Sequence, residues 1–85
     1  SLSPNPFSVY GGKKISIWNF APGSDVKVKT LYGKTIKTFS AKYNENRIDN
    51  WDGICDDGSL ISSGIYFIIA SNKGNTSIGK LAVIH

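Results

Sequence analysis

At 85 residues the chain has room for one domain with a shallow core, so a deep substrate pocket is not expected. Its 10 Lys and Arg against 6 Asp and Glu leave a net charge of +4. That surplus favours anionic partners such as acidic glycan, lipopolysaccharide phosphate or nucleic acid, although a solvated surface accounts for it with no partner at all. One cysteine, Cys55, and one histidine, His85, exclude an internal disulfide, a four-ligand zinc site and any catalytic pairing that needs an internal histidine.

No apolar run is long enough to span a bilayer as a helix. The opening Ser1-Leu2-Ser3-Pro4-Asn5-Pro6 lacks the charged-then-apolar pattern of a leader, and the absence of an initiator Met is expected of a segment cut from a larger protein.

Turn signals punctuate the chain densely: Pro4-Asn5-Pro6, Gly11-Gly12, Pro22-Gly23-Ser24, Tyr32-Gly33-Lys34, Asn44-Glu45-Asn46, Asp56-Asp57-Gly58 and Asn72-Lys73-Gly74-Asn75. The runs between them are rich in β-branched and aromatic residues, and none has helical periodicity. The first clear strand is 14–19, with Ile15 and Ile17 inward and Trp18 in the opposite phase. Residues 25–31 follow, with Val26 and Val28 inward and Lys27 and Lys29 outward. Gly33 turns the chain into 34–39, where Ile36 is the best inward candidate. A polar loop, 40–46, crosses to a short strand at 47–51. Residues 64–71 form the most apolar run and are read as a central strand. Residues 78–84 close the domain with Leu81 and Val83 on one side. The sum is an all-β chain, an Ig-like antiparallel β-sandwich of about seven short strands, with an up-and-down barrel as the structural alternative.

Candidate sites are few. Trp51-Asp52-Gly53 with Gly58 reads as a strand end and a turn: the glycines permit positive φ, the Asp side chains bond nearby N–H groups, and Trp51 plugs the core. Asp52, Asp56 and Asp57 lack the alternation and closing Glu of an EF-hand loop, which leaves a looser calcium site as an open alternative. Asp56 and Asp57, with Asp49 as the nearest further carboxylate, do not have the opposed placement that paired acid–base catalysis requires. Gly11-Gly12-Lys13-Lys14 lacks the glycine spacing and following helix of a phosphate loop. Trp18 is either an exposed platform for a sugar ring or protein, or a residue lidded by the 40–46 loop. Tyr10, Tyr32, Tyr43 and Tyr66 add further aromatic surface if they align on one face. Lys27, Lys29, Lys34 and Lys37 are expected together on the outer face of one hairpin. There they either attract anionic glycan or simply guard a sheet edge.

The order of these segments matters more than any one of them. Ser3-Pro4-Asn5-Pro6-Phe7 precedes Ile15-Ser16-Ile17-Trp18-Asn19-Phe20-Ala21-Pro22 and Val26-Lys27-Val28-Lys29-Thr30-Leu31-Tyr32-Gly33. Trp51-Asp52-Gly53, Ser63-Gly64-Ile65-Tyr66-Phe67 and Gly79-Lys80-Leu81-Ala82-Val83-Ile84 follow. This pattern resembles the C-terminal Ig-like modules of large bacterial secreted proteins: the sorting domain of the type IX secretion system, and the Ig-like domain of the flagellar hook-capping protein. The resemblance implies that residues 1–85 form one sandwich at the end of a larger exported polypeptide. It implies a module without catalysis or cofactor, located outside the cell or on its surface. Residues 79–85, with Gly79, Lys80, Leu81 and Val83, would then carry part of a sorting signal. The expected partners are the upstream domains, the outer-membrane export machinery and anionic surface glycan. Nucleic acid and a membrane span are not expected, and the module is expected to be a monomer. A carbohydrate-binding or spacer module on a glycan-degrading enzyme is the alternative, with Trp18, Lys27 and Lys29 as its contacts.

Overall fold

The computed structural model describes residues 7–11 and 14–83, with side-chain environments for 14–83. Seven antiparallel strands are formed among these residues: β1 (Phe7–Gly11), β2 (Lys14–Trp18), β3 (Asp25–Thr30), β4 (Thr35–Ser40), β5 (Arg47–Trp51), β6 (Gly64–Asn72) and β7 (Asn75–Val83). One sheet has three strands in the order β1-β2-β5 and the other has four in the order β4-β3-β6-β7. The chain is therefore an Ig-like β-sandwich rather than a closed barrel. Strand β1 was not foreseen, because a five-residue run between two turn clusters gives little periodicity to read. It lies alongside β7 at one side of the sandwich.

The core is the set of inward positions from both sheets. Ile15 and Ile17 of β2 meet Val26 and Val28 of β3, with Tyr66, Ile68 and Ala70 of β6 and Leu81 and Val83 of β7. Alternation places Ile15, Ile17, Val26 and Val28 inward and Leu81 and Val83 on one side, whereas the unbroken apolar run of β6 gave no phase for Tyr66, Ile68 and Ala70; all nine are buried. Burial of aliphatic side chains on this scale is the main favourable term in a domain of this size.

Two bulges set the phase of the remaining strands. Along β5, Ile17 pairs with Ile48 and Ile15 with Trp51, so three steps on β5 answer two on β2. Asn50 takes up the extra step with φ of 61°. Without it Ile48 and Trp51 would point to opposite faces; with it both turn toward the core. Along β4, Val28 pairs with Lys37 but Lys29 pairs with Thr35, leaving Ile36 as the extra residue. Ile36 packs on the core as expected. Lys37, however, is carried round to lie across from Val28, which corrects its placement on the outer face of the hairpin. The β3–β4 turn itself is a tight loop in which Thr30 N–H donates to the Lys34 carbonyl, and Gly33 holds φ of 88°.

The polar loop after β4 crosses between the sheets and is tied to the turn before β3. Gly23 N–H donates to the Glu45 carbonyl at 3.0 Å, and Ala41 N–H donates to the Ser24 carbonyl at 3.0 Å.

Candidate functional site

The segment after β5 is more structured than a turn. Gly53 carbonyl accepts from Ile61 N–H at 2.8 Å, Ile54 bridges Leu60, and Cys55 N–H donates to the Ser59 carbonyl at 2.7 Å. These bonds make a miniature hairpin whose tip is Asp56-Asp57-Gly58. Asp52 accepts from Ile54 N–H at 3.0 Å, and Asp57 accepts from Ser59 N–H at 2.9 Å and from its hydroxyl at 2.6 Å. The Ser59 hydroxyl holds the Asp57 carboxyl below the usual carboxylate range. Asp56 reaches the other way. Its N–H donates to the Ile36 carbonyl at 2.9 Å and its Oδ2 accepts from Thr38 N–H at 3.1 Å, while Oδ1 lies 3.3 Å from Lys37 Nζ. One aspartate thus supplies both a donor and an acceptor to the open edge of β4, and the hairpin covers that edge. The three carboxylates are spent on separate tasks, and no group of three or more metal-ligating side chains is gathered among the described residues.

Trp51 fills the core end predicted for it. It is buried, its Nε1–H donates to the Ile54 carbonyl at 2.9 Å, and Phe39 meets it edge-on at a centroid distance of 5.4 Å. Tyr66 is likewise structural. Its hydroxyl donates to the Ser62 carbonyl at 2.7 Å, the arrangement known as a tyrosine corner in Ig-type sandwiches. Gly64 begins β6 beneath that ring, with φ of 156°. Cys55 is a free, buried thiol whose pKa is raised by desolvation.

Trp18 stands on the outer face of the three-stranded sheet, half-buried, with Arg47 as its cross-strand neighbour. Arg47 grips Asp49 through two bonds of 2.9 and 2.8 Å. That grip, with a smaller contribution from Ser16, holds the Asp49 carboxyl low. An open groove of about 530 Å³ runs nearby between the β4 and β5 edges, floored by Phe39, Ala41 and Ile48 and rimmed by Arg47 and Asp49. Tyr32 and Tyr43 lie fully out in solvent at two different turns, and Tyr66 is inside, so these aromatics do not share a face with Trp18. Tyr10 and His85 lie outside the residues whose side chains are described.

The lysines are redistributed. Lys34 sits at the β3–β4 turn and Lys37 is drawn to Asp56, its ammonium 5.3 Å from the Phe39 ring centre. Lys27 and Lys29 keep the outward phase, but on β3, which has β4 on one side and β6 on the other. They guard no edge, so the protective reading fails for these two. The register sets them in rows with residues of β4, β6 and β7. One row runs Thr38, Lys27, Ile69, Ile78; the next runs Thr35, Lys29, Phe67, Lys80; Ile65 and Ala82 pair beyond. Lys80 of the terminal segment thus shares a face with Lys27 and Lys29, whereas Trp18 lies on the other sheet. Leu81 and Val83 face the core, as does Gly79, which pairs with Ile68. The signal available in sequence for the outer apolar face was the unbroken run in 64–71, since a strand apolar at every position has two apolar faces.

These features define a small Ig-like β-sandwich module. No family model matches the chain, and no curated protein matches it. Among solved structures the chain is similar to PorZ, described as an essential bacterial surface component of the type-IX secretion system of Porphyromonas gingivalis. The TM-score is 0.71 at 20% identity, and the match covers 96% of this chain. It spans only 11% of that far longer protein, so the likeness is to one part of it and is a likeness of fold.

Proposed function

We propose that this chain is a non-catalytic Ig-like module of a larger exported bacterial protein, serving its secretion or display at the cell surface. The observation that carries this reading is the match of nearly the whole chain to a small portion of a surface component of the type IX system. The same segment order in the sequence supports it. In this reading the module ends the polypeptide, acts outside the cell or on its surface, and meets the upstream domains and the export machinery. Strand β7 is the last hydrogen-bonded strand of its sheet, with β1 alongside it, and strand addition at β7 would take the place of that neighbour.

Removing 79–85 is a poor test, because it strips Leu81 and Val83 from the core and is expected to unfold the module. The informative experiment fuses the intact 85-residue chain to a reporter already targeted to the periplasm, in a bacterium with a type IX apparatus. Reporter at the surface or in the medium, and retained when the apparatus is deleted, is the expected result. Retention in both strains refutes the sorting role.

A further inference from the structure

The geometry points to the outer face of the four-stranded sheet as a docking surface for a protein partner that presents carboxylates around an apolar centre. The inference stands apart from the export reading, since binding at this face can be measured without export. Along β6 and β7 the face shows Ile65, Phe67, Ile69 and Ile78. Lys27 and Lys29 flank this stripe from β3, and Lys80 flanks it from β7. Ile65 and Ile78 are 53% and 56% exposed, while Phe67 and Ile69 sit half-buried between the flanking strands.

Charge decides the occupant. Of the described acidic residues, Asp25 alone shares this face, one row beyond Lys27 and across from Ser40 and Ser71, at the end away from Lys29, Phe67 and Lys80. The other five, Glu45, Asp49, Asp52, Asp56 and Asp57, all fall within 45–57, in the crossing loop, β5 and the hairpin that covers the β4 edge. The face thus sets three lysines against one carboxylate around an apolar stripe, the complement of an acidic rim around an apolar centre. A symmetric pairing of this face with that of a second copy is disfavoured, because it sets lysines against lysines. A bilayer is disfavoured by shape: Phe67 and Ile69 are recessed in a sheet face, whereas membrane contact takes apolar groups that protrude. Lysine stems at this rim extend the apolar area while their ammonium groups reach the partner's carboxylates.

The test is an amide chemical-shift titration of the 85-residue chain with four probes. These are a peptide of alternating Glu and Val, one of alternating Glu and Ser, one of alternating Lys and Val, and vesicles of phosphatidylcholine with phosphatidylglycerol. The Glu–Val peptide is expected to shift amides within 65–69 and 78–82. Its affinity is expected to fall about tenfold in the Lys29→Glu, Lys80→Glu double variant, the scale of two rim charge contacts. Retained amide dispersion in that variant separates lost binding from lost folding. The proposal is overturned if the Glu–Ser or Lys–Val peptide binds as well as Glu–Val. It is equally overturned if the shifts map to another face, if no peptide binds, or if vesicles engage this face more tightly than the peptide.

Discussion

Gly53 is where conformation and packing make separable demands on one residue. Its φ of 81° lies in the left-handed region, and a Cβ built there would stand 3.2 Å from Ile61 Cγ2 and 3.4 Å from Leu60 Cδ1. Gly58, five residues on at the hairpin tip, has a similar φ of 89° but open space where its Cβ would go. Alanine at either position meets the left-handed penalty of about 1–2 kcal/mol, partly offset by about 0.4–1 kcal/mol from a less flexible unfolded chain. At Gly53 overpacking against the buried Ile61 adds about 1–3 kcal/mol. Gly58→Ala is therefore expected to cost about 1 kcal/mol and Gly53→Ala about 3 kcal/mol. For a domain of this size those losses lower Tm by roughly 4–8 °C and 12–24 °C. Urea unfolding of the two variants followed by tryptophan fluorescence measures the difference directly, since Trp51 is buried beside this turn. Equal losses at the two positions would refute the packing argument and leave only backbone conformation.

Tyr66→Phe removes the hydroxyl bond to Ser62 and is expected to destabilise by about 1 kcal/mol, seen as a Tm lower by roughly 4–8 °C; an unchanged Tm would remove the corner from the list of stabilising contacts. Asp56→Ala keeps the backbone bond to the Ile36 carbonyl but takes the acceptor from Thr38 N–H and the carboxylate from Lys37, with an expected loss of about 1–2 kcal/mol in urea, and Asp56→Asn recovers part of it by keeping an acceptor for Thr38 N–H. The Asp57 carboxyl is held low in the folded chain, so its contribution is present above the unfolded carboxylate pKa and is lost as pH falls through the folded value. Ser59→Ala is expected to flatten the acid limb of a Tm–pH curve, and an unaltered limb counts against the Ser59 bond. The Cys55 thiol is raised by burial, so its contribution is present below the unfolded thiol pKa and is lost as pH rises through the folded one. Iodoacetamide is expected to modify Cys55 through opened molecules, at a rate that tracks their population and so rises with urea; rapid reaction with the folded chain would contradict its burial.

Alternation of apolar and polar residues was enough to place Ile15, Ile17, Val26, Val28, Leu81 and Val83 in the core, because the pleat repeats every two residues and only one face of each strand meets the opposite sheet. The same local logic marked Trp51 as a core plug and Asp52-Gly53 as turn chemistry, and the bonds to Ile54 and Ile61 show that turn to be the base of a miniature hairpin. What escaped the sequence were the positions where one residue too many enters a strand. Nothing in Ile48-Asp49-Asn50-Trp51 says that Asn50 will take a left-handed step and bring both Ile48 and Trp51 inward. Nothing in Thr35-Ile36-Lys37 says that Ile36 is the extra residue and that Lys37 will follow it round to Asp56. A bulge is set by what the neighbouring strand and the core accept, and those are fixed only when the sheets meet. Sheet order is of the same kind. Lys27, Lys29 and Lys80 stand far apart in the chain, and only the pairing of β3 and β7 with β6 gathers them on one face around Phe67.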